Sequence, residues 1–139
     1  MSIEKMSAYF KVAQSISPLS QGSGGATETA VDGRGFSRVL HILNVGTMGG
    51  ATAQVFASVW ESATSDGTYT KVASSNNTIA DSSGASEVYL WDVPVNAAKP
   101  YQKLITTAGT SWSEIAAVAV LFGGSLTLPP TQQNTVISI

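Results

Sequence analysis

The sequence predicts an all-β protein, built as a single antiparallel β-sandwich with an extended arm at each end. Short runs rich in β-branched and aromatic residues alternate with clusters of Gly, Ser, Asn and Asp, a pattern typical of antiparallel sheets. No stretch holds apolar residues at helical spacing for three turns. The length of 139 residues suits one domain that buries roughly two-thirds of its unfolded surface.

Seven strands and a weaker eighth are predicted along the chain. The seven are 10–16, 38–45, 53–62, 69–73, 87–93, 101–107 and 114–122, and the weaker one is 29–31. In segments 39–43 and 115–121 both faces are apolar or small, so these are predicted to be central strands covered by a second sheet or by a neighbouring subunit. Seven or eight short strands predict a jelly-roll or an immunoglobulin-like sandwich.

The connections between these strands carry turn-forming residues. Asp66-Gly67 separates two predicted strands and indicates a hairpin, because Gly accepts positive φ and Asp bonds the backbone just ahead. Segments 22–25 and 81–84 are predicted to be loops. Pro94 and Pro100 bracket a connection, where neither residue has to donate a ladder hydrogen bond.

Both ends differ from the middle of the chain, which predicts an N-terminal arm at 1–9, the sandwich at 10–124 and a C-terminal arm at 125–139. The C-terminal arm carries no charged side chain, and Pro129-Pro130 imposes an extended backbone. It is either a fraying tail or a strand that pairs with an edge of the same or a neighbouring subunit. The residues predicted to contact a neighbouring subunit or another partner surface are Leu126, Leu128, Pro129, Pro130, Val136, Ile137 and Ile139.

The charge content is low, and the charges are dispersed. Charged residues form 12% of the chain, about half the usual share, and the formal net charge is −2. This is either an ordinary neutral β domain or a chain that covers much of its surface in an assembly. The seven Lys and Arg are scattered, whereas phosphate binding needs a clustered cationic stripe, so no nucleic-acid partner is expected.

Cysteine is absent, which excludes disulfides, thiolate zinc sites and a cysteine nucleophile. The longest apolar run, 115–122, is too short to span a bilayer. Residues 1–10 lack the apolar core of a signal peptide. We therefore expect no membrane association and no Sec-type export.

No constellation of catalytic or metal-binding residues is recognisable. His41, the only histidine, lies in an apolar strand and is predicted to be a hydrogen-bonded or partly exposed sheet residue. The sequence lacks the several His or Cys ligands that a zinc site needs, and it lacks the acidic loop typical of calcium sites. Glu61 and Glu87 form a conceivable but disfavoured glycosidase pair. The expectation is a non-enzyme with no metal, no cofactor and no small-molecule substrate.

The three tryptophans raise the competing possibility of sugar binding. Trp60 and Trp91 fall inside predicted strands and are expected in the core or an interface. Trp112 follows a turn and is the better candidate for exposure. One exposed aromatic ring does not make a platform for a sugar.

An ordered set of motifs resembles the small head decoration (cement) proteins of tailed bacteriophages. In those proteins a strand ends in Glu-Ser, an Asp-Gly turn follows, and the next strand reads Trp/Tyr-Thr-x-Val, as residues 59–72 do here. A Tyr-containing strand ending in Thr comes next, here 101–107, and then an Ala/Val strand closing in Gly, here 116–123. The order and spacing match from about Tyr9 to Gly124.

The resemblance implies a β-sandwich that binds the outer face of an icosahedral shell, often as a trimer, and clamps adjacent capsomers. It implies the major capsid protein as partner, a homo-oligomer (a trimer), synthesis in the host bacterial cytoplasm and a final location on the virion surface. The segments before Tyr9 and after Gly124 depart from the family's compact pattern. The alternative is a carbohydrate- or receptor-binding sandwich module of a phage head fibre or tail fibre.

Overall fold

The computed structural model shows two antiparallel β-sheets packed face to face. It describes residues 10–22, 24–26, 28–109 and 111–124. The strands are β1 Lys11–Gln21, β2 Gly24–Gly25, β3 Val31–Asp32, β4 Arg38–Met48, β5 Gln54–Ser62, β6 Thr70–Lys71, β7 Asn77–Ala80, β8 Glu87–Pro94, β9 Tyr101–Ala108 and β10 Ser113–Phe122, and a single helical turn, α1, covers Asp81–Gly84. The predicted all-β antiparallel sandwich is confirmed.

The strand order is that of a jelly roll. The four-stranded sheet has the order β1-β10-β4-β8. In the six-stranded sheet β9 pairs with β5, while β2 and β3 both pair with β9, and β6 and β7 both pair with β5. Counting β2 with β3 and β6 with β7 as interrupted strands leaves eight positions, in the sheet orders 1-8-3-6 and 2-7-4-5. This double Greek-key arrangement selects the jelly roll over the immunoglobulin-like alternative.

The core lies between the two sheets because side chains alternate along each strand. The odd-numbered residues of β4 from Val39 to Val45 point inward and are fully buried, whereas the residues between them face outward. Val59 and Leu104 of the facing sheet are equally buried. Each such side chain stabilises the folded state by about 1.5–3 kcal/mol when it is removed from water. The packing of the two sheets holds their outer faces on opposite sides of the sandwich.

The predicted strands are confirmed, with local differences. β1 runs on to Gln21 through two register shifts, because irregularities let it pass Pro18 and still pair with β10. Segment 22–25 was predicted to be a loop, but β2 forms there because β9 supplies partners. Segment 81–84 was also predicted to be a loop and is the helical turn α1. β7 was not predicted, and the strand predicted at 69–73 is reduced to β6.

The predicted hairpin and the predicted positions of the two prolines are confirmed. The Asp66-Gly67 turn connects β5 to β6, with Trp60 opposite Lys71, so the hairpin is confirmed. The hydroxyl of Tyr69 donates to the Ser65 carbonyl oxygen at 2.9 Å, which closes the turn. Pro94 ends β8 and Pro100 precedes β9, as predicted. Within the described ranges, no helix has the length and apolar character needed to cross a membrane.

Candidate interaction surfaces

His41 is sealed inside the sandwich. Its Nε2 lies 2.9 Å from Gln102 Oε1, and Gln102 Nε2 donates to the Pro94 carbonyl oxygen at 3.1 Å. The second hydrogen bond turns the amide nitrogen of Gln102 toward Pro94 and leaves the amide oxygen facing His41. Nε2 of His41 is therefore the donor in the hydrogen bond to Gln102. Burial lowers the pKa of His41, and the hydrogen bond to Gln102 opposes that shift only in part. The hydrogen-bonded alternative of the prediction is confirmed, and a ring closed off from solvent is poorly placed to exchange protons with a substrate.

The carboxylates lie apart or in ion pairs. Asp32 pairs with Arg34 at 2.6 Å, and this hydrogen-bonded guanidinium lowers the pKa of Asp32. Glu61 accepts a hydrogen bond from Asn96, just beyond the end of β8, whereas Glu87 begins that strand roughly 23 Å away. Glycosidase carboxylates sit within about 10 Å of each other, so these two do not form a pair. The described residues contain no group of three or more side chains suited to a metal ion.

The outer face of the four-stranded sheet is apolar. We define the apolar face as Leu40, Ile42, Val88, Leu90, Ala116, Val118 and Val120. Val88, Leu90 and Val118 are 56%, 60% and 38% exposed, respectively. A sheet face that meets water normally carries polar residues, so this aliphatic outer face is a candidate interaction surface.

Strand register makes the apolar face continuous. Val118 of β10 lies opposite Ile42 of β4, which lies opposite Leu90 of β8. The flanking rows are Val120–Leu40–Asp92 and Ala116–Asn44–Val88. Adjacent strands lie about 4.8 Å apart, so the three side chains of the central row touch as one aliphatic stripe. At one end a groove of about 350 Å³ between Leu19 and Glu114 extends this surface.

Strand β8 is an edge of the four-stranded sheet. One side of its backbone pairs with β4, and no strand of the described residues pairs with the other side. Asp92 and Pro94, residues that discourage strand addition, occupy its second half, and Glu87 is the one charged residue of its first half. Its first half, with Val88 and Leu90, presents both unpaired backbone and apolar side chains, the features that accept an added strand.

The described chain ends close to this edge. Arg38 lies opposite both Phe122 of β10 and Pro94 of β8, so the chain leaves the sheet two strands, or about 10 Å, from the end of β8. The predicted interface residues Leu126, Leu128, Pro129, Pro130, Val136, Ile137 and Ile139 lie outside the described residues. Their role, and the boundaries of the two arms, stay predictions.

The outer face of the six-stranded sheet has a different character. A groove of about 400 Å³, which we call the aromatic groove, is lined by Phe56, Trp60, Lys71, Asn77, Thr78 and Thr107 among others. Trp60 is half-buried on this outer face rather than in the core, and its Nε1 donates to Ser58 Oγ at 2.8 Å. Phe56, Ser58 and Trp60 alternate along β5 with inward-facing residues and therefore share this outer face.

The other two tryptophans match their predicted environments. Trp91 is half-buried against the core, and its Nε1 donates to the Ser75 carbonyl oxygen at 2.8 Å. Trp112 is 43% exposed, which confirms the prediction. Its indole lies against Gly49, where a Cβ atom would collide with the ring. It is not among the residues that line the aromatic groove.

The strand order defines the class of the fold, a jelly-roll β-sandwich. Among solved structures, a chain from the structure of infectious bursal disease virus, Gx strain, is similar to this one, with a TM-score of 0.52 and 10% sequence identity. The match covers 86% of this chain and 33% of the viral chain, so this chain spans about a third of that length. Such a similarity shows the fold alone. No family model and no curated protein matches the chain.

Proposed function

We propose that the chain is a structural protein of a tailed-phage virion, which binds the outer surface of the capsid and stabilises contacts between capsomers. The observation that carries this proposal is the apolar face, an aliphatic sheet surface with no cover among the described residues. The phage-like motifs of residues 59–72, 101–107 and 116–123 support it. A jelly-roll neighbour taken from a virus structure is compatible with it.

The physical basis is linkage. A protein that binds the assembled shell, and not its free subunits, opposes disassembly by mass action. Such a protein needs a rigid body and a binding surface, and it needs no reactive side chain. Val88, Leu90 and Val118 are about half exposed, so covering them would contribute about 1 kcal/mol each, roughly half the value for full burial, before the costs of association.

The proposed partners are the major capsid protein and further copies of this chain, in a trimer. The unpaired edge of β8 suits an added strand, and residues 135–139 alternate in the manner of a strand. We assign this edge to the C-terminal arm of a neighbouring copy. Pro129-Pro130 supports that choice, because a stiff extended spacer opposes the reversal of direction needed to return to β8 of the same copy.

The test is the binding of purified chain to capsids that lack it, measured by co-sedimentation. Leu90→Lys places a charge in the middle of the apolar face, and we expect binding to weaken about 10- to 100-fold. Ala63→Lys adds the same charge in an exposed bend after β5 and should bind like the parent chain. Circular dichroism of both variants establishes that the fold is intact. Equal binding by Leu90→Lys and Ala63→Lys would rule out docking through the apolar face.

A further inference from the structure

The aromatic groove has a floor of two aromatic side chains on one strand face. Phe56 and Trp60 lie four residues apart on β5, so both point outward, about 13 Å from each other. Ile105 of β9, opposite Ser58, fills the space between them. Phe56 is 43% exposed, which is far more than a core residue of this sheet. A row of flat apolar rings at this spacing offers consecutive stacking surfaces to an extended ligand.

Most of the side chains beside these rings are polar and uncharged. Asn76, Asn77 and Thr78 form one side, and Thr107 lies on the other. Side-chain amides and hydroxyls both donate and accept hydrogen bonds, as the hydroxyl groups of sugars do. Sugar rings also carry a face of C–H groups, which makes weak favourable contacts with aromatic rings. The aromatic rings on the floor of the groove therefore match the C–H face of a sugar ring, and the amides and hydroxyls beside them match its hydroxyl groups.

The charge of the groove is positive. Lys71 is the one charged residue among the described residues that line it, and its Nζ lies 5.4 Å from the centre of the Trp60 ring. Lys103, opposite Trp60 on β9, places its Nζ 4.6 Å from the centre of the Tyr69 ring. Neither lysine takes part in the ion pairs formed by the described residues. Each ammonium group lies over one aromatic ring and has no carboxylate partner among the described residues, so it can still pair with an anionic ligand beside that ring.

We infer that the aromatic groove binds an acidic polysaccharide, with sugar rings stacked on Phe56 and Trp60 and a carboxylate held by Lys71. The groove's volume of about 400 Å³ lies within the usual range for ligand sites. Nucleic acid bases also stack on aromatic rings, but the phosphates of a bound strand need a succession of cations, and here one lysine lines the groove. The ligand class that fits is therefore a glycan carrying few, spaced charges.

This inference does not depend on the proposed function. The aromatic groove belongs to the six-stranded sheet and the apolar face to the four-stranded sheet, on opposite sides of the sandwich. A chain docked through its apolar face would present the groove outward. The isolated chain offers the same groove, so its binding is measurable without capsids.

The experiment is calorimetric titration of the full chain with an alginate oligosaccharide, a polyuronate, at low and at high salt. We expect saturable binding that weakens with salt. Trp60→Ala should weaken it at least about tenfold, and Lys71→Gln should weaken it and remove most of the salt dependence. Phe56→Ser, at an exposed position, gives the same test should Trp60→Ala fail to fold. Trp112→Ala, at the exposed tryptophan outside the groove, is the matched control and should bind normally.

Three results would overturn the inference. The first is the absence of saturable alginate binding. The second is equal or tighter binding of a neutral dextran oligosaccharide or of an oligothymidylate, which would contradict the acidic glycan class. The third is alginate binding that Phe56→Ser and Lys71→Gln leave unchanged, because the ligand would then lie elsewhere on the chain.

Discussion

His41 and Gln102 connect the two sheets through a hydrogen bond in the interior of the sandwich. A bond of this kind adds about 0.5–1.5 kcal/mol net, but loss of one partner leaves the other buried and unsatisfied at a cost of about 1–3 kcal/mol. The amide and the imidazole therefore constrain which residues of β4 and β9 face each other. No carboxylate is among the buried side chains of the described residues, so a protonated His41 would have no counter-charge nearby.

The burial of His41 predicts an acid-sensitive fold. Its folded-state pKa is lower than the ordinary value of 6.5, so the unfolded chain takes up the proton first as the pH falls. The free energy of unfolding should therefore keep its full value above about pH 6.5 and decrease as the pH falls from there to the folded-state pKa. The total decrease is about 1.4 kcal/mol for each unit by which the folded-state pKa lies below the ordinary value. Urea denaturation at pH values on either side of this point measures the decline.

His41→Gln is the matched variant for that measurement. Glutamine can keep a hydrogen bond to Gln102 and cannot take up a proton, so this part of the pH dependence should disappear. Capsid binding at neutral pH should not change, because His41 faces the interior. Identical pH profiles for the parent chain and the variant would show that the titration of His41 does not control the stability.

At the scale of strands, the pattern of segments 39–43 and 115–121 predicted central strands covered by a second sheet or by a neighbouring subunit, and the structure shows the second sheet. Their inward residues face the second sheet, and their outward residues form much of the apolar face. The aromatic groove could not be predicted in this way, because Trp60 on an apolar strand looks the same whether it faces the core or the solvent. β2 and β7 were missed because short strands depend on partners, β9 and β5, that lie far along the chain.

The C-terminal arm carries the prediction at this scale. Removing residues 125–139 should leave the sandwich folded, because all the strands described end by Phe122. It should weaken oligomerisation or capsid binding, since Leu126, Leu128, Val136 and Ile137 would no longer be buried at about 1.5–3 kcal/mol each. Sedimentation velocity gives the oligomeric state, and co-sedimentation gives capsid binding. A truncated chain that assembles and binds capsids like the parent would refute the proposed role of the arm.

At the scale of the whole molecule, the small net charge of −2 is an average over two outer faces of different character. One outer face is aliphatic, and the other combines aromatic rings with lysines, and the sandwich holds them on opposite sides. The class of the fold was predictable from the alternation of strands and turns. The strand order was not, because the neighbours in a jelly roll are distant in the chain, as β1 and β10 are.

The absence of cysteine makes the strand order directly testable. Gln14 of β1 lies opposite Val118 of β10, and such partners have Cα atoms about 4.5–5.5 Å apart, within reach of a disulfide. Gln14→Cys with Val118→Cys should form an intramolecular disulfide on oxidation, and a loop of about 100 residues predicts up to about 4.7 kcal/mol of stabilisation. Gln14→Cys with Leu90→Cys, three strands apart on the same face, should not crosslink. Mass spectrometry of the oxidised proteins distinguishes the two results.

The pairing of β1 with β10 also governs when the protein can fold during its synthesis. Strand β1 leaves the ribosome long before β10. It cannot join its sheet until β10 has been made, because β10 lies between β1 and the other strands of that sheet. Folding of that sheet is therefore late and slow, since it closes a loop that contains all the other described strands. A nascent chain that stops before Ser113 leaves its apolar strands uncovered and becomes a substrate for chaperones and proteases. Prematurely terminated chains are thereby kept out of any assembly that the folded protein joins.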